Sequence, residues 1–152
     1  MTNPTAAAFG YPRTLVAETR YWLVLIRPKQ PTLGSLALVC KEPVQAFAHL
    51  SQNAFSDLKV ATEGIEAMLS SAVAYERINY LMLMMVDRDV HFHVIPRYDG
   101  ERGDEGVTFA DAGWPGPPDL KTSVDLDADQ AARLAKRLRD LWRDVGGGTS
   151  RL

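Results

Sequence analysis

Asp89, His91 and His93 fall on every second position of the run Asp89-Val90-His91-Phe92-His93-Val94-Ile95-Pro96-Arg97. Valine, phenylalanine and isoleucine favour an extended strand, and alternate side chains of a strand share a face. The spacing predicts a carboxylate and two imidazoles in one row. Val90, Phe92 and Val94 would be buried behind them, and Pro96 would end the ladder because it has no N–H to donate. A neutral imidazole is a competent nucleophile near pH 7. A second imidazole, as a cation, can donate a hydrogen bond or a proton. Two histidines and a carboxylate also suit Zn²⁺ or Fe²⁺. Positions 89 and 93, however, would lie about 13 Å apart along a straight strand, so a metal held by the two histidines would need a remote ligand.

The flanking sequence supplies elements able to position such a row. Residues 1–13 are small and polar, with Pro4, Gly10 and Pro12, and are expected to form a loose arm. Residues 14–18 and 20–26 form two β-prone segments. The span 27–34 is a loop punctuated by Pro28, Pro31 and Gly34, and 35–39 is the next strand. From Asn53 or Ser56 to about Tyr75, the residues Phe55, Leu58, Ala61, Ile65, Met68, Leu69 and Ala72 recur at three and four, as one face of a long helix requires. Gly64 interrupts that pattern at some cost in helix propensity. His49, just upstream, has the character of a surface or capping residue.

Residues 77–86 are apolar on both faces, which predicts a central strand. Asp87-Arg88 is short enough for a tight hairpin into the histidine strand. The span 99–126 is rich in Gly, Pro and Asp and is expected to be a long surface loop, with Trp114 covering core or an interface. Asp127 and Gln130 have capping-box spacing ahead of a helix over 127–145. Ala131, Leu134, Leu138, Leu141 and Val145 form its buried stripe, Arg133, Lys136, Arg137, Arg139 and Arg143 a largely solvated face, and Gly146 to Gly148 its end.

The chain has 152 residues, enough for a single domain (1–152) with one core. Its net charge of -2 gives no global basic field for nucleic acid or an anionic membrane. No stretch is apolar enough to span a bilayer, and the N-terminus lacks the basic and apolar regions of a signal peptide. A cytoplasmic location is expected. Cys40 is the single cysteine and lies in an apolar run, so it is expected to be a small buried hydrophobe.

With these residues in view, the run around His91 resembles the histidine triad family, whose motif is His-x-His-x-His followed by two apolar residues. His91 and His93 match the second and third histidines, Val94 and Ile95 the apolar pair, and Pro96-Arg97 a common continuation; Asp89 stands where the first histidine would be. The likeness extends over roughly 16–98. It includes Gly34-Ser35-Leu36-Ala37-Leu38-Val39, where a glycine opens an apolar strand. The span 78–98 is similar to a bacterial branch described as diadenosine tetraphosphate hydrolase-like.

The resemblance implies an α+β fold: a five-stranded antiparallel sheet with a long helix packed on it, and here a C-terminal helix besides. It implies a homodimer and a nucleoside phosphate or dinucleoside polyphosphate as substrate. The reaction would be a two-step displacement in which His91 forms a covalent nucleotidyl-imidazole and His93 assists. No cofactor is required for this chemistry, although Mg²⁺ could accompany the polyphosphate. Asp89 either opposes phosphate, by about 4 kcal/mol at 4 Å and an effective dielectric near 20, or hydrogen-bonds an imidazole and raises its pKa. The short turn before the motif leaves phosphate contacts to Arg97, Arg88, Lys29 and Arg27, with Arg97 on the motif face by parity. The alternatives are a histidine-triad-fold protein that binds nucleotide without turnover, and a His-x-His metal site.

Overall fold

The computed structural model describes residues 3–146. The chain runs through α1 (Pro4–Ala8), β1 (Leu15–Glu18), β2 (Trp22–Ile26), the short β3 (Lys29–Gln30), β4 (Leu36–Cys40) and a 3₁₀ turn (Phe47–His49). It continues through α2 (Gln52–Val73), β5 (Arg77–Leu81), β6 (His91–Arg97), β7 (Glu101–Asp104), β8 (Val107–Ala110), β9 (Val124–Asp125) and α3 (Ala128–Gly146). Five strands form an antiparallel sheet in the order β1-β2-β4-β6-β5. This is the expected α+β arrangement of sheet and helices.

Every residue of β2 and β4 is buried, because both faces of the sheet are covered. On one face Trp22, Val24, Ile26, Leu36, Leu38 and Val94 pack with Ile65, Met68 and Leu69 of α2 and Leu134 and Leu138 of α3. The indole N–H of Trp22 donates to the Ala54 carbonyl at 2.9 Å, fixing the start of α2 to the sheet. On the other face Leu23, Leu25, Ala37 and Val39 form a second, smaller cluster with Ala6 and Phe9.

Ser51 caps α2, its hydroxyl accepting from the Ala54 N–H at 3.1 Å. Ala61, Ile65, Met68 and Leu69 lie on the buried face, whereas Phe55, assigned to the same stripe by periodicity, is 39% exposed. Gly64 is the point of closest approach to α3. A Cβ there would lie 2.2 Å from the Trp142 ring. The capping box of α3 forms as expected: Asp127 N–H donates to Gln130 Oε1 at 2.9 Å and Gln130 N–H to Asp127 Oδ1 at 2.8 Å. Its stripe contains Ala131, Leu134, Ala135, Leu138 and Trp142; the Val145 side chain and residues 147–152 lie outside the described residues. Two arginines of the expected solvated face instead tie down the β7–β8 hairpin. Arg133 pairs with Glu105, and Arg137 with both Glu105 and Asp104.

Four local expectations are corrected. Residues 1–13 are not a loose arm throughout. Asn3 caps α1 by accepting from the Ala6 N–H, Pro4 opens the helix, and Thr5 and Ala6 are buried. β5 is an edge strand that ends at Leu81, and the connection to β6 runs over 82–90 rather than through a two-residue hairpin. Leu83, Met85 and Val86 are exposed there. Apolar composition marked this stretch as core although no layer covers it. β6 starts at His91 and continues through Pro96, which pairs with Ile78. The β4 ladder stops at Val94, so the missing N–H falls where β6 has a neighbour on one side only. Finally, the 99–126 excursion is partly ordered. β7 and β8 form a hairpin closed by Glu105 and Gly106, both at positive φ as a type I′ turn requires, and β9 pairs with β3.

Candidate active site

The strand register brings the two histidines to the side of the sheet away from α2 and α3. Leu23, Val39 and His91 stand in one cross-strand row, and Leu25, Ala37 and His93 in the next. The rings of His91 and His93 meet edge to face, with centroids 5.1 Å apart. Arg27 directly follows the last residue of β2 and lies close enough to His93 for its charge to act on that imidazole. Nε and Nη1 of Arg27 are buried without a hydrogen-bond partner among the described residues, as is Nδ1 of His93.

His91 is held by its neighbour's backbone. Its Nδ1 lies 2.7 Å from the Asp89 carbonyl oxygen. A carbonyl can only accept, so Nδ1 carries the proton and Nε2 keeps its lone pair. That tautomer suits a nucleophile. The His93 pKa is pushed down to about 4, first by burial and then by the charges of Arg27 and His91. His93 is therefore neutral near pH 7, not the cation expected from sequence. It can donate or accept through either nitrogen but brings no charge to a phosphate.

The Asp89 carboxylate does not hydrogen-bond an imidazole, one of the two roles its place in the motif implied. It precedes β6, and its carboxylate turns toward the N-terminal segment. Oδ2 accepts from the Thr5 hydroxyl at 3.0 Å and from the Thr5 N–H at 3.4 Å, and Oδ1 accepts from Gln45 Nε2 at 3.2 Å. The Asp89 N–H in turn donates to the Thr5 hydroxyl at 3.1 Å. The carboxylate hydrogen-bonds to neither imidazole, and Asp89 lines the open depression shared with Thr5, Gln45 and Arg88.

The chain packs Phe9 against its own histidines. The Phe9 ring lies 5.9 Å, centroid to centroid, from each imidazole; His91 is 2% exposed and His93 partly exposed. An opening on the same face, about 300 Å³, lies toward β2 and is lined by Asn3, Ala6, Tyr11, Glu18, Leu23, Lys41 and Pro43. Neither histidine reaches it. In this conformation His91 has no open approach for a phosphorus centre, whereas His93 is partly exposed.

The other basic candidates scatter. Arg97 is 4% exposed and donates to Asp111 at 2.7 and 3.1 Å, to Asn79 Oδ1 at 2.9 Å and to the Gly116 carbonyl at 2.9 Å. Its fork braces the 111–116 turn and is not offered to a ligand. Lys29 is exposed, in β3, and pairs with Asp125 at 3.4 Å. Arg88 is exposed and lines an open depression of about 480 Å³ beside Pro4, Thr5, Gln45 and Asp89. Arg27 alone among the four stands against the histidine pair. Trp114 is half-buried beside an open groove along β5, shared with Arg77, Asn79 and Arg97. No group of three or more His, Cys, Asp or Glu side chains among the described residues could hold a metal ion.

Thr5, Phe9 and Gln45 carry no sequence signal of a site. The one available cue was Asn3-Pro4, an N-cap followed by proline at the first helical position. It announces a helix start where composition alone indicated an arm.

No protein-family model matches the chain, and no curated protein does. Solved structures do. A histidine triad protein of Marinobacter aquaeolei VT8 is 20% identical, with a TM-score of 0.72, over 95% of this chain and 97% of its own. A histidine triad protein of Sinorhizobium meliloti 1021 is also 20% identical, with a TM-score of 0.70, over 92% and 95%. The diadenosine triphosphate hydrolase of Plasmodium falciparum is 12% identical, with a TM-score of 0.64, over 88% and 78%. In the order and pairing of its strands, and in the helices laid on them, this chain has the histidine triad fold.

Proposed function

We propose that the histidine face binds a nucleoside phosphate, with His91 as a nucleophile held in the reactive tautomer but covered in the closed conformation. The supporting observation is the 2.7 Å contact from His91 Nδ1 to the Asp89 carbonyl, which leaves Nε2 unprotonated and aimed away from its own strand's backbone. Once uncovered, Nε2 attacks the α-phosphorus. A P–N bond forms as the P–O bond to the leaving phosphate breaks. Water then cleaves the P–N bond, releasing a nucleoside monophosphate and regenerating the imidazole. Arg27 supplies positive charge beside His93. No cofactor is needed, and Mg²⁺ enters only as a partner of the polyphosphate. The substrate class is a dinucleoside polyphosphate or a related nucleotide, in keeping with the resemblance to the diadenosine tetraphosphate hydrolase-like branch. The proposal includes a homodimer working in the cytoplasm.

A second reading, binding without turnover, is favoured by the Phe9 cover and by the loss of charge on His93. Incubation with diadenosine tetraphosphate separates the two. Turnover releases AMP and leaves an acid-labile adenylyl group on the protein, and His91→Ala lowers the rate by about 10³-fold or more. A rise in melting temperature without consumption of the nucleotide supports binding alone. No thermal shift and no adduct with any nucleotide overturns both.

A further inference from the structure

We propose that Thr5–Phe9 is a latched cover over the histidine pair, shut by Asp89, and that its local opening is what frees His91 and opens the partly exposed His93 further. Three features converge. First, the segment belongs to the small second cluster. Ala6 and Phe9 pack on Leu23, Leu25, Ala37 and Val39, apart from the core under α2 and α3. Its attachment is therefore separable from that of the main fold. Second, the polar fastening at the Thr5 end concentrates on one residue, while at the other end the Thr14 hydroxyl donates to the Phe9 carbonyl. Thr5 and Asp89 exchange bonds in both directions, the hydroxyl giving to Oδ2 and taking from the Asp89 N–H, while Gln45 holds the other carboxylate oxygen. Third, the fastening and the covered group share a residue. The Asp89 carboxylate holds the cover and its carbonyl orients His91.

The cover meets the imidazoles through an apolar ring only. Phe9 can withdraw without breaking a hydrogen bond to either histidine. What resists its withdrawal is the Thr5–Asp89 exchange, the Thr14 hydroxyl's bond to the Phe9 carbonyl at 2.7 Å, the burial of Ala6 and the Asn3 side-chain bond to the Cys40 carbonyl at 3.1 Å. Local opening of a segment with few buried contacts lies well below the free energy of global unfolding. Arg88, at the rim of the depression beside Thr5 and Asp89, gives an anionic ligand its first contact at the latch. That last consequence rests on the nucleoside-phosphate reading; the cover does not.

Diethyl pyrocarbonate carbethoxylates accessible neutral imidazoles, and mass spectrometry assigns the product to each histidine. His49, exposed in its 3₁₀ turn, is the internal reference. In the unmodified chain His49 reacts freely, His91 is protected, and His93, partly exposed, reacts more slowly than His49. Thr5→Val, which deletes the hydroxyl at nearly constant volume, raises the rate at His91 and His93 by about tenfold or more, the effect of losing buried hydrogen bonds, and leaves His49 unchanged. Phe9→Ala does the same, whereas Thr5→Ser keeps the hydroxyl and the protection. Reaction of all three histidines at one rate in the unmodified chain overturns the proposal. So does unchanged protection in folded Thr5→Val and Phe9→Ala.

Amide exchange on the unmodified chain tests it without substitution. Residues 5–9 must exchange faster than β4; exchange only together with β4 would mean that no separate opening exists. A nucleotide that leaves both the carbethoxylation rates and the exchange of residues 5–9 unmoved, at a pair shown reactive in Thr5→Val, would sink the nucleoside-phosphate reading and leave the cover standing.

Discussion

His93 bears the strongest resolved electrostatic perturbation near the candidate site. In the folded chain its pKa is about 4, against 6.5 for the free side chain, because burial and then Arg27 and His91 disfavour its charged form. The folded pKa is depressed, so the associated stability is fully present above about pH 6.5. It is lost as pH falls toward 4, where the unfolded chain binds a proton that the folded chain refuses. His93→Gln should therefore show a shallower fall in melting temperature across that window than the unmodified protein; parallel curves would mean the ring is solvated. Cys40 makes a second test at this scale. It is buried, and its thiol is pushed up to about 11, chiefly by burial. It should resist a thiol reagent at neutral pH until the chain unfolds. The sequence disclosed both residues unequally. Position in an apolar run was enough for Cys40, because a buried thiol needs only apolar neighbours. Alternation put His91 and His93 on one face, but it could not disclose that Phe9, more than eighty positions earlier, would pack against both and help bury His91. Asp89 differs for another reason: it precedes the first residue of β6, where strand alternation no longer governs direction.

Among the elements, the pairing of α2 with α3 turns on a missing side chain. In a solvated helix, replacing glycine by alanine stabilises by about 1 kcal/mol. At Gly64 the added carbon would fall 2.2 Å from Trp142 Cη2 and 2.6 Å from two further ring carbons. Overpacking costs about 1–3 kcal/mol, so Gly64→Ala should be destabilising on balance. In a Trp142→Leu background the same change should become neutral or favourable, and denaturant melts of the four proteins measure that coupling. Periodicity found both helices but treated Gly64 as a weakness, because a one-dimensional pattern does not show the ring that fills the notch. Arg97 offers a second case. Its pair with Asp111, side chains 4% and 2% exposed, anchors the 99–126 excursion to β6. Arg97→Ala strands a buried carboxylate, which costs about 3–5 kcal/mol, and should make the 112–123 segment sensitive to protease. The double change Arg97→Met with Asp111→Leu should recover much of that loss. Arg97 seemed from sequence the best phosphate ligand because it shares the histidine face; its acidic partner, fourteen residues on in a glycine-rich stretch, gave no periodic signal.

At the scale of the whole molecule, the sheet divides the chain into two unequal layers: a helical layer that holds the fold together and a thin one, α1 and Phe9, that lies over the histidines. The five-stranded order and the long helix were legible because alternation and a repeat near 3.6 are the direct imprint of those layers. The 82–86 run was not. Its apolar residues look like core, yet Leu83, Met85 and Val86 are 47%, 85% and 88% exposed beside an edge strand. An unpaired edge next to a contiguous apolar patch favours contact with another protein surface. A second copy of this chain accounts for it most simply, since a two-fold interface brings the same patch from each side. Sedimentation velocity should then give a dimer at micromolar concentration. Met85→Glu combined with Val86→Lys should shift it to monomer without lowering the melting temperature of the monomer, since neither side chain contributes to the core. A unmodified chain that remains monomeric to high micromolar concentration would remove the homodimer from the proposal and leave the exposed run to some other partner.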